Sequence, residues 1–139
     1  MKRKIIVYLG LLLCIVILIC FVFAEKFVYM NINKIDAENG MLHYEIHNYS
    51  IRSLISHLNP VEVLYKQSFD GNWDAVSQTE LIEDVALRTK PFNVYNGIVE
   101  IEGTFEPGLY KLVTDDFSIG NHGGIFHKEL HMEMPFTVY

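Results

Sequence analysis

Hydrophobic and polar residues alternate along several short stretches of this chain, and turn residues separate the stretches. Residues 41–48 show the pattern most clearly, with Leu42, Tyr44 and Ile46 at every second position and polar side chains between them. Alternation with a period of two is typical of a strand that has one buried face. We therefore expect a strand at 41–48 whose Leu42, Tyr44 and Ile46 point into a core.

Similar patterns predict further strands around residues 27–35, 60–68, 73–77, 94–103, 105–113 and 126–139. In the stretch 60–68, the pattern places Val61, Val63 and Tyr65 on the core face and Glu62 on the solvent face. Asp70 and Gly71 supply the backbone geometry of a tight hairpin between two of these strands. Proline cannot donate to a ladder, so Pro135 predicts an edge or a bulge in the last strand.

Two stretches depart from the alternating pattern. Residues 79–95 contain apolar spacing that also fits a helix of one or two turns, and residues 115–124 are rich in glycine and acidic residues, which predicts a loop. About seven strands in about 110 residues favour an all-β fold, an immunoglobulin-like antiparallel β-sandwich. Tyr110 follows a Pro-Gly turn, as the tyrosine corner of such sandwiches does, and an ordinary core position explains it equally well.

A continuous apolar run, residues 5–24, follows the cations Lys2, Arg3 and Lys4. Its 20 residues suffice to span a bilayer as a helix. It also resembles a signal peptide with a cleavage site after Ala24. A lipoprotein with an acylated Cys20 is a third alternative, although Ile19 is larger than the residue that such processing prefers. The sequence does not decide between an uncleaved membrane anchor and a cleaved signal peptide.

The positions of the basic residues predict the orientation of the chain. Cations before the apolar run keep the N-terminus in the cytoplasm. We therefore divide the chain into a signal peptide or membrane anchor, residues 1–24, and an extracytoplasmic sandwich domain, residues 25–139. The expected location is the cell membrane, with a single span and the C-terminal domain outside, or the medium if cleavage occurs. Residues 5–24 would contact the membrane if they are retained.

Charge and cysteine content exclude several classes of protein. The segment after residue 24 has eight Lys and Arg against 17 Asp and Glu, a formal charge of −9. Nucleic-acid binding needs a basic surface, so a general nucleic-acid binder is excluded. Cys14 and Cys20 both lie in the apolar run, so no disulfide stabilises the domain and it has no cysteine nucleophile.

Four short motifs occur in the order and spacing of a known family. They are the end of an early strand at 44–50, the hairpin Asp-Gly-Asn-Trp at 70–73, the turn and strand at 105–113, and a closing strand at 135–138. In this order they resemble the bacterial immunoglobulin-like domains found outside the membrane, chiefly in Gram-positive bacteria. The resemblance covers about residues 40–139. It implies an extracytoplasmic module without catalytic residues, and the family specifies no partner. We expect a partner that is an unidentified protein or a cell surface.

The six histidines are the candidate metal ligands. His43 and His47 are four residues apart, as are His127 and His131. On a strand this spacing separates two side chains by about 13 Å, too far to share one ion. A cross-strand site, such as His43 with His131, requires that their strands be neighbours. We therefore expect solvent-facing histidines and no metal or cofactor, and we keep an extracytoplasmic metal-binding protein as the alternative function.

The sequence contains no combination of residues that indicates catalysis. Neither a zinc-protease helix nor a Gly-x-Ser-x-Gly elbow nor a phosphate-binding glycine loop is present. We expect a binding or structural module and not an enzyme. Loops on rigid sandwiches commonly mediate contacts, so the edge around Pro135 and the loop at 115–124 are the expected contact regions.

Overall fold

The computed structural model describes residues 2–56, 62–78, 88–120 and 126–139. Within these residues, a helix, α1 (Lys2–Val22), is followed by a 3₁₀ turn (Ala24–Phe27) and then by strands. The strands are β1 (Val28–Asp36), β2 (Met41–Asn48), β3 (Leu54–Ser56), β4 (Glu62–Gln67), β5 (Trp73–Gln78), β6 (Arg88–Thr89), β7 (Asn93–Glu100), β8 (Gly108–Ile119) and β9 (Lys128–Val138).

These strands form two antiparallel sheets. The first sheet has the order β1-β2-β7. In the second sheet, β8 pairs with β9 on one side and with both β4 and β3 on the other; β5 extends the sheet from β4, and β6 extends it from β3. The architecture is an immunoglobulin-like antiparallel β-sandwich preceded by one apolar helix, which confirms the predicted fold class.

The core lies between the two sheets and follows the predicted alternation on β2. Leu42, Tyr44 and Ile46 are all buried, and they pack against Leu112 and Phe117 of the opposite sheet. The strand at 126–139 also has the predicted faces, with Met132 to Val138 directed inward at every second residue. The predicted alternation therefore identified the core-facing residues of both strands.

The prediction for β4 was wrong about which face is buried. Glu62 and Leu64 lie in the core, whereas Val63 and Tyr65 are half-exposed on the outer face. The carboxylate of Glu62 is tolerated there because the hydroxyl of Tyr44, from the facing sheet, donates a hydrogen bond to it. The face of β4 that carries Glu62 is therefore the buried face, the opposite of what hydrophobicity alone predicted.

The loop predicted at residues 115–124 was also wrong for its first half. β8 continues to Ile119, past an irregularity in its pairing with β9 between Thr114 and Phe117. Phe117 and Ile119 are buried, and this part of β8 gains a second partner in β3. Residues 121–125 lie outside the described residues, as do residues 79–87 of the stretch 79–95 in which a helix was an alternative; the rest of that stretch contains β6 and the start of β7.

Two features of the second sheet agree with the sequence. Among the described strands, β9 pairs only with β8, so Pro135 lies on an edge strand as predicted. The hydroxyl of Tyr110 donates a hydrogen bond to the carbonyl oxygen of Glu106 at 2.9 Å, the geometry of a tyrosine corner. Tyr110 is also buried in the core, so the two interpretations of this residue are both correct.

Candidate interaction surface

Helix α1 presents its apolar side chains to the surroundings. Its 21 residues give a length of about 31 Å, close to the thickness of a bilayer hydrocarbon core. Every side chain from residue 5 to residue 19 is exposed, and none of the span Ile5–Val22 is buried within the protein. A soluble domain would cover such a helix, so this surface fits contact with lipid.

The last turn of α1 contacts the sandwich. The ring of Phe21 packs edge-on against Phe126, with the ring centres 5.2 Å apart, and the guanidinium of Arg52 lies 4.5 Å from the centre of the same ring. Directly after the helix, Glu25 forms an ion pair with Lys128 at 2.6 Å. This hydrogen bond from Lys128 lowers the pKa of Glu25 below its ordinary value. The helix therefore ends in specific contacts with the domain.

We call the end of the sandwich beside the helix the helix-proximal end; it contains residues 24–29, 47–54, 88–93, 119–120 and 126–129. Strand pairing joins these segments, because Val28 and Asn93 both pair with Asn48, and Leu54 and Lys128 both pair with Ile119. The opposite end carries the turns that follow β1, β4 and β7, together with the end of β9.

Charge is distributed unevenly between the two ends. Five of the eight Lys and Arg residues after residue 24 lie at the helix-proximal end: Lys26, Arg52, Arg88, Lys90 and Lys128. The opposite end is acidic and includes Asp36, Glu38, Glu100, Glu102 and Glu106. The domain is acidic as a whole, yet its surface beside the membrane-length helix is basic.

Aromatic side chains are exposed at the same helix-proximal end. Phe27, Tyr29 and Tyr49 are each 43–50% exposed. The imidazole of His47 stacks on Tyr29 with ring centres 4.8 Å apart, and Tyr49 borders both rings. Aromatic residues that combine an apolar ring with a polar group are enriched where proteins meet the membrane–water interface. This cluster therefore fits a surface that lies close to headgroups.

The described histidines do not come together as a metal site. His43 lies on β2 in the first sheet and His131 on β9 in the second, so the cross-strand pair considered from the sequence is not formed. His131 instead hydrogen-bonds Asp115, and His47 contacts Glu45 at 3.0 Å. Within the described residues, no three His, Cys, Asp or Glu side chains converge on a point that could hold an ion. His57 and His122 lie outside them.

Of the two contact regions expected from the sequence, the edge at Pro135 lies away from the helix-proximal cations, whereas Gly120 of the stretch 115–124 lies beside Arg52. Pro135 lies near the opposite end of β9, and residues 121–124 are outside the described part of the chain. Sequence reasoning missed the basic end because Arg52, Arg88 and Lys128 are far apart along the chain and the net charge is negative. Only the strand pairings bring them together.

Comparison with known proteins gives matches in structure alone. No protein-family model matches the chain, and no curated protein matches it. Among solved structures, the chain is similar to the archaellum periplasmic stator protein FlaG from Sulfolobus acidocaldarius, at 14% identity and a TM-score of 0.46, over 78% of this chain and 99% of that one.

Two further solved structures are similar at the same level. The stator complex of FlaF and FlaG from the same archaeon gives 12% identity and a TM-score of 0.47, over 77% of this chain and 87% of that one. The PapD-like domain 7 of human CEP192 gives 13% identity and a TM-score of 0.41, over 78% of this chain and 82% of that one. At these identities, the likeness concerns the fold alone.

Proposed function

We propose that this chain is a membrane-anchored, extracytoplasmic immunoglobulin-like module that acts through protein or cell-surface contacts and has no catalytic activity. The observation that carries the proposal is the docking of Phe21 between Arg52 and Phe126. This contact makes the end of the apolar helix part of the folded domain, which is a role that a discarded signal peptide does not have. The motif order at 44–138 supports a relationship to bacterial extracytoplasmic immunoglobulin-like domains.

Binding to a partner would take place away from the membrane. The helix-proximal end is occupied by the bilayer in this arrangement, so the acidic opposite end and the edge strand β9 remain accessible. An acidic surface favours a partner with basic groups. The alternative of a metal-binding protein has less support, because His43 and His131, the cross-strand pair considered from the sequence, lie on separate sheets.

The orientation of the chain can be tested by labelling cysteines with a membrane-impermeant maleimide on spheroplasts. In a background with Cys14→Ser and Cys20→Ser, the exposed residue Glu102 is replaced (Glu102→Cys). We expect full labelling without permeabilisation, because the domain lies outside.

The matched control carries one cysteine inserted after Met1 in the same background. We expect this cysteine to react only after the membrane is permeabilised, since Lys2, Arg3 and Lys4 hold it on the cytoplasmic side. The opposite labelling pattern, with Glu102→Cys protected and the N-terminal cysteine reactive, would place the domain in the cytoplasm and refute the proposal.

A further inference from the structure

A cavity of about 860 Å³ opens at the helix-proximal end, and its lining is basic. Three of its eight lining residues are the cations Arg52, Arg88 and Lys90, and none of the described lining residues is Asp or Glu. Phe21, from the last turn of α1, forms part of the wall. The cavity therefore combines three positive charges with the point at which the helix leaves the domain.

Buried hydrogen bonds hold the backbone that carries two of these cations. The side-chain amide of Asn48, which is fully buried, donates to the carbonyl oxygens of Arg52 at 2.8 Å and Lys90 at 3.2 Å. The hydroxyl of Ser50 donates to the Arg52 carbonyl at 2.9 Å and accepts from the Arg52 backbone N–H at 3.1 Å. Asn48 thus holds the segments around Arg52 and Lys90, which are distant in sequence, in fixed relative positions.

Contacts also position Arg88, the third cation, and the ring of Phe21, which lies beneath Arg52. Arg88 donates from Nε to the hydroxyl of Ser53 at 3.1 Å, and this hydrogen bond positions its guanidinium group. Arg52 lies over the ring of Phe21. Fixing charged groups before binding reduces the entropy lost when a ligand is captured.

Anion binding is the chemistry that this arrangement suits. Within the described part of the chain, no carboxylate lies within ion-pair distance of Arg52, Arg88 or Lys90, whereas Lys34, Lys66, Lys111 and Lys128 each have an acidic partner. The acid that acts on Arg52 electrostatically is Glu25, and this carboxylate is already bound by Lys128. As far as the described residues are concerned, the three cations are thus available to an external anion, and Arg matches the oxygen geometry of a phosphate.

We propose that this cavity binds the phosphate of an anionic phospholipid in the membrane that holds α1. The proposal rests on the anchored arrangement proposed above. Because Phe21 belongs both to the helix and to the cavity wall, the cavity lies where the helix leaves the hydrocarbon core, at the depth of the headgroups. Phe27, Tyr29 and Tyr49 are exposed at the same end and fit the interfacial region around such a headgroup.

Photo-crosslinking in nanodiscs tests the proposal with the full chain. The discs contain phosphatidylcholine and a minor fraction of phosphatidylglycerol that carries a photoreactive headgroup. We expect crosslinks in peptic peptides that contain residues 51–53 and 88–91. The triple variant Arg52→Gln, Arg88→Gln, Lys90→Gln should reduce this yield at least tenfold, since each basic residue near a charged surface contributes about a fivefold increase in binding.

A matched triple variant controls for overall charge. Lys34→Gln, Lys66→Gln, Lys111→Gln removes the same number of cations from positions outside the cavity, and it should retain the wild-type yield. The single variant Lys90→Gln guards against misfolding, because the Lys90 side chain is exposed and the structure uses only its carbonyl. We expect it to lower the yield about fivefold with an unchanged melting temperature.

Three results would overturn the proposal. The first is an equal loss of crosslinks in both triple variants. The second is a yield of crosslinks at 51–53 and 88–91 that stays at the wild-type level in the cavity variants. The third is suppression of the wild-type crosslink by inorganic phosphate at low millimolar concentration. The last result would assign the cavity to a free anion. Both faces of a nanodisc are accessible, so failure here is distinct from failure of the proposed orientation, which the cysteine labelling measures in cells.

Discussion

Replacing Gly97 by alanine is expected to destabilise the sandwich by about 3 kcal/mol. Gly97 lies on β7 directly opposite Tyr44 on β2, and the buried Tyr44 ring leans across it. A methyl group at Gly97 would overlap the outer ring atoms and the hydroxyl oxygen of Tyr44. The ring cannot move away, because its hydroxyl is bound to Glu62 within the core. Gly97 is therefore required by the close approach of this ring.

Urea unfolding of the full chain in detergent, followed by circular dichroism, measures this effect. The matched control is Asn96→Ala, which changes the neighbouring, exposed residue of β7 and should shift the free energy of unfolding by less than about 0.5 kcal/mol. A Gly97→Ala variant as stable as the Asn96→Ala variant would show that Tyr44 does not occupy this position.

A double-mutant cycle identifies the cause. Tyr44→Leu removes the ring atoms that a methyl group at Gly97 would meet, so adding Gly97→Ala to Tyr44→Leu should cost much less than adding it to the wild type. Coupling of about 2 kcal/mol is expected, since residues in direct contact are not additive. Additive effects would mean that the loss at Gly97 arises from the backbone alone.

The domain is expected to lose stability steeply above pH 10, with Tyr44 as a main cause. Burial, and secondly the negative charge of Glu62, raise the pKa of Tyr44 far above its ordinary value of 10.0. The native state therefore keeps a proton that the unfolded state releases above pH 10. Ionisation of Tyr44 does not change the free energy of unfolding below this pH. Above it, this one group lowers the free energy of unfolding by about 1.4 kcal/mol per pH unit.

Tyr44→Phe tests that prediction when unfolding is measured between pH 8 and pH 11.5. At pH 8 the variant should be less stable by about 1–3 kcal/mol, because the buried Glu62 loses a hydrogen-bond donor. Above pH 10 its decline should be shallower than that of the wild type by one proton. Burial also raises the pKa of Tyr95, and this contribution remains in both proteins.

The control for this measurement is Tyr139→Phe, which alters a ring that lies in solvent. Its dependence on pH should match the wild type. Identical slopes for Tyr44→Phe and the wild type above pH 10 would contradict the buried Tyr44–Glu62 pair.

The sequence predicted the fold where the two faces of a strand differ in polarity. In residues 42–47 of β2 and 130–138 of β9 the core-facing positions are all apolar and the positions between them are mostly polar, so these buried residues could be identified without a structure. On β4 both faces contain apolar residues, and Glu62 is the only acid among its core-facing positions. Its partner, Tyr44, lies 18 residues earlier on another sheet. Long-range pairing of this kind has no local signal.

The candidate surface was beyond sequence reasoning for the same physical reason. Arg52, Arg88 and Lys90 occur in two segments about 35 residues apart in sequence, and Asn48 joins those segments through hydrogen bonds to their carbonyl groups. A negative net charge indicated an acidic domain and concealed its basic end. The apolar run at 5–24 was recognised from length and composition, because contact with lipid imposes a continuous pattern on the sequence.

The most direct test of the anchored arrangement is the intact mass of the native chain from separated membrane and medium fractions. If Phe21 and the apolar helix belong to the folded protein, the chain in the membrane fraction retains residues 1–24, and the medium contains none. A chain that begins at Glu25 and occurs in the medium would contradict the anchor, because the helix and its contacts with Arg52 and Phe126 would then be absent from the mature protein.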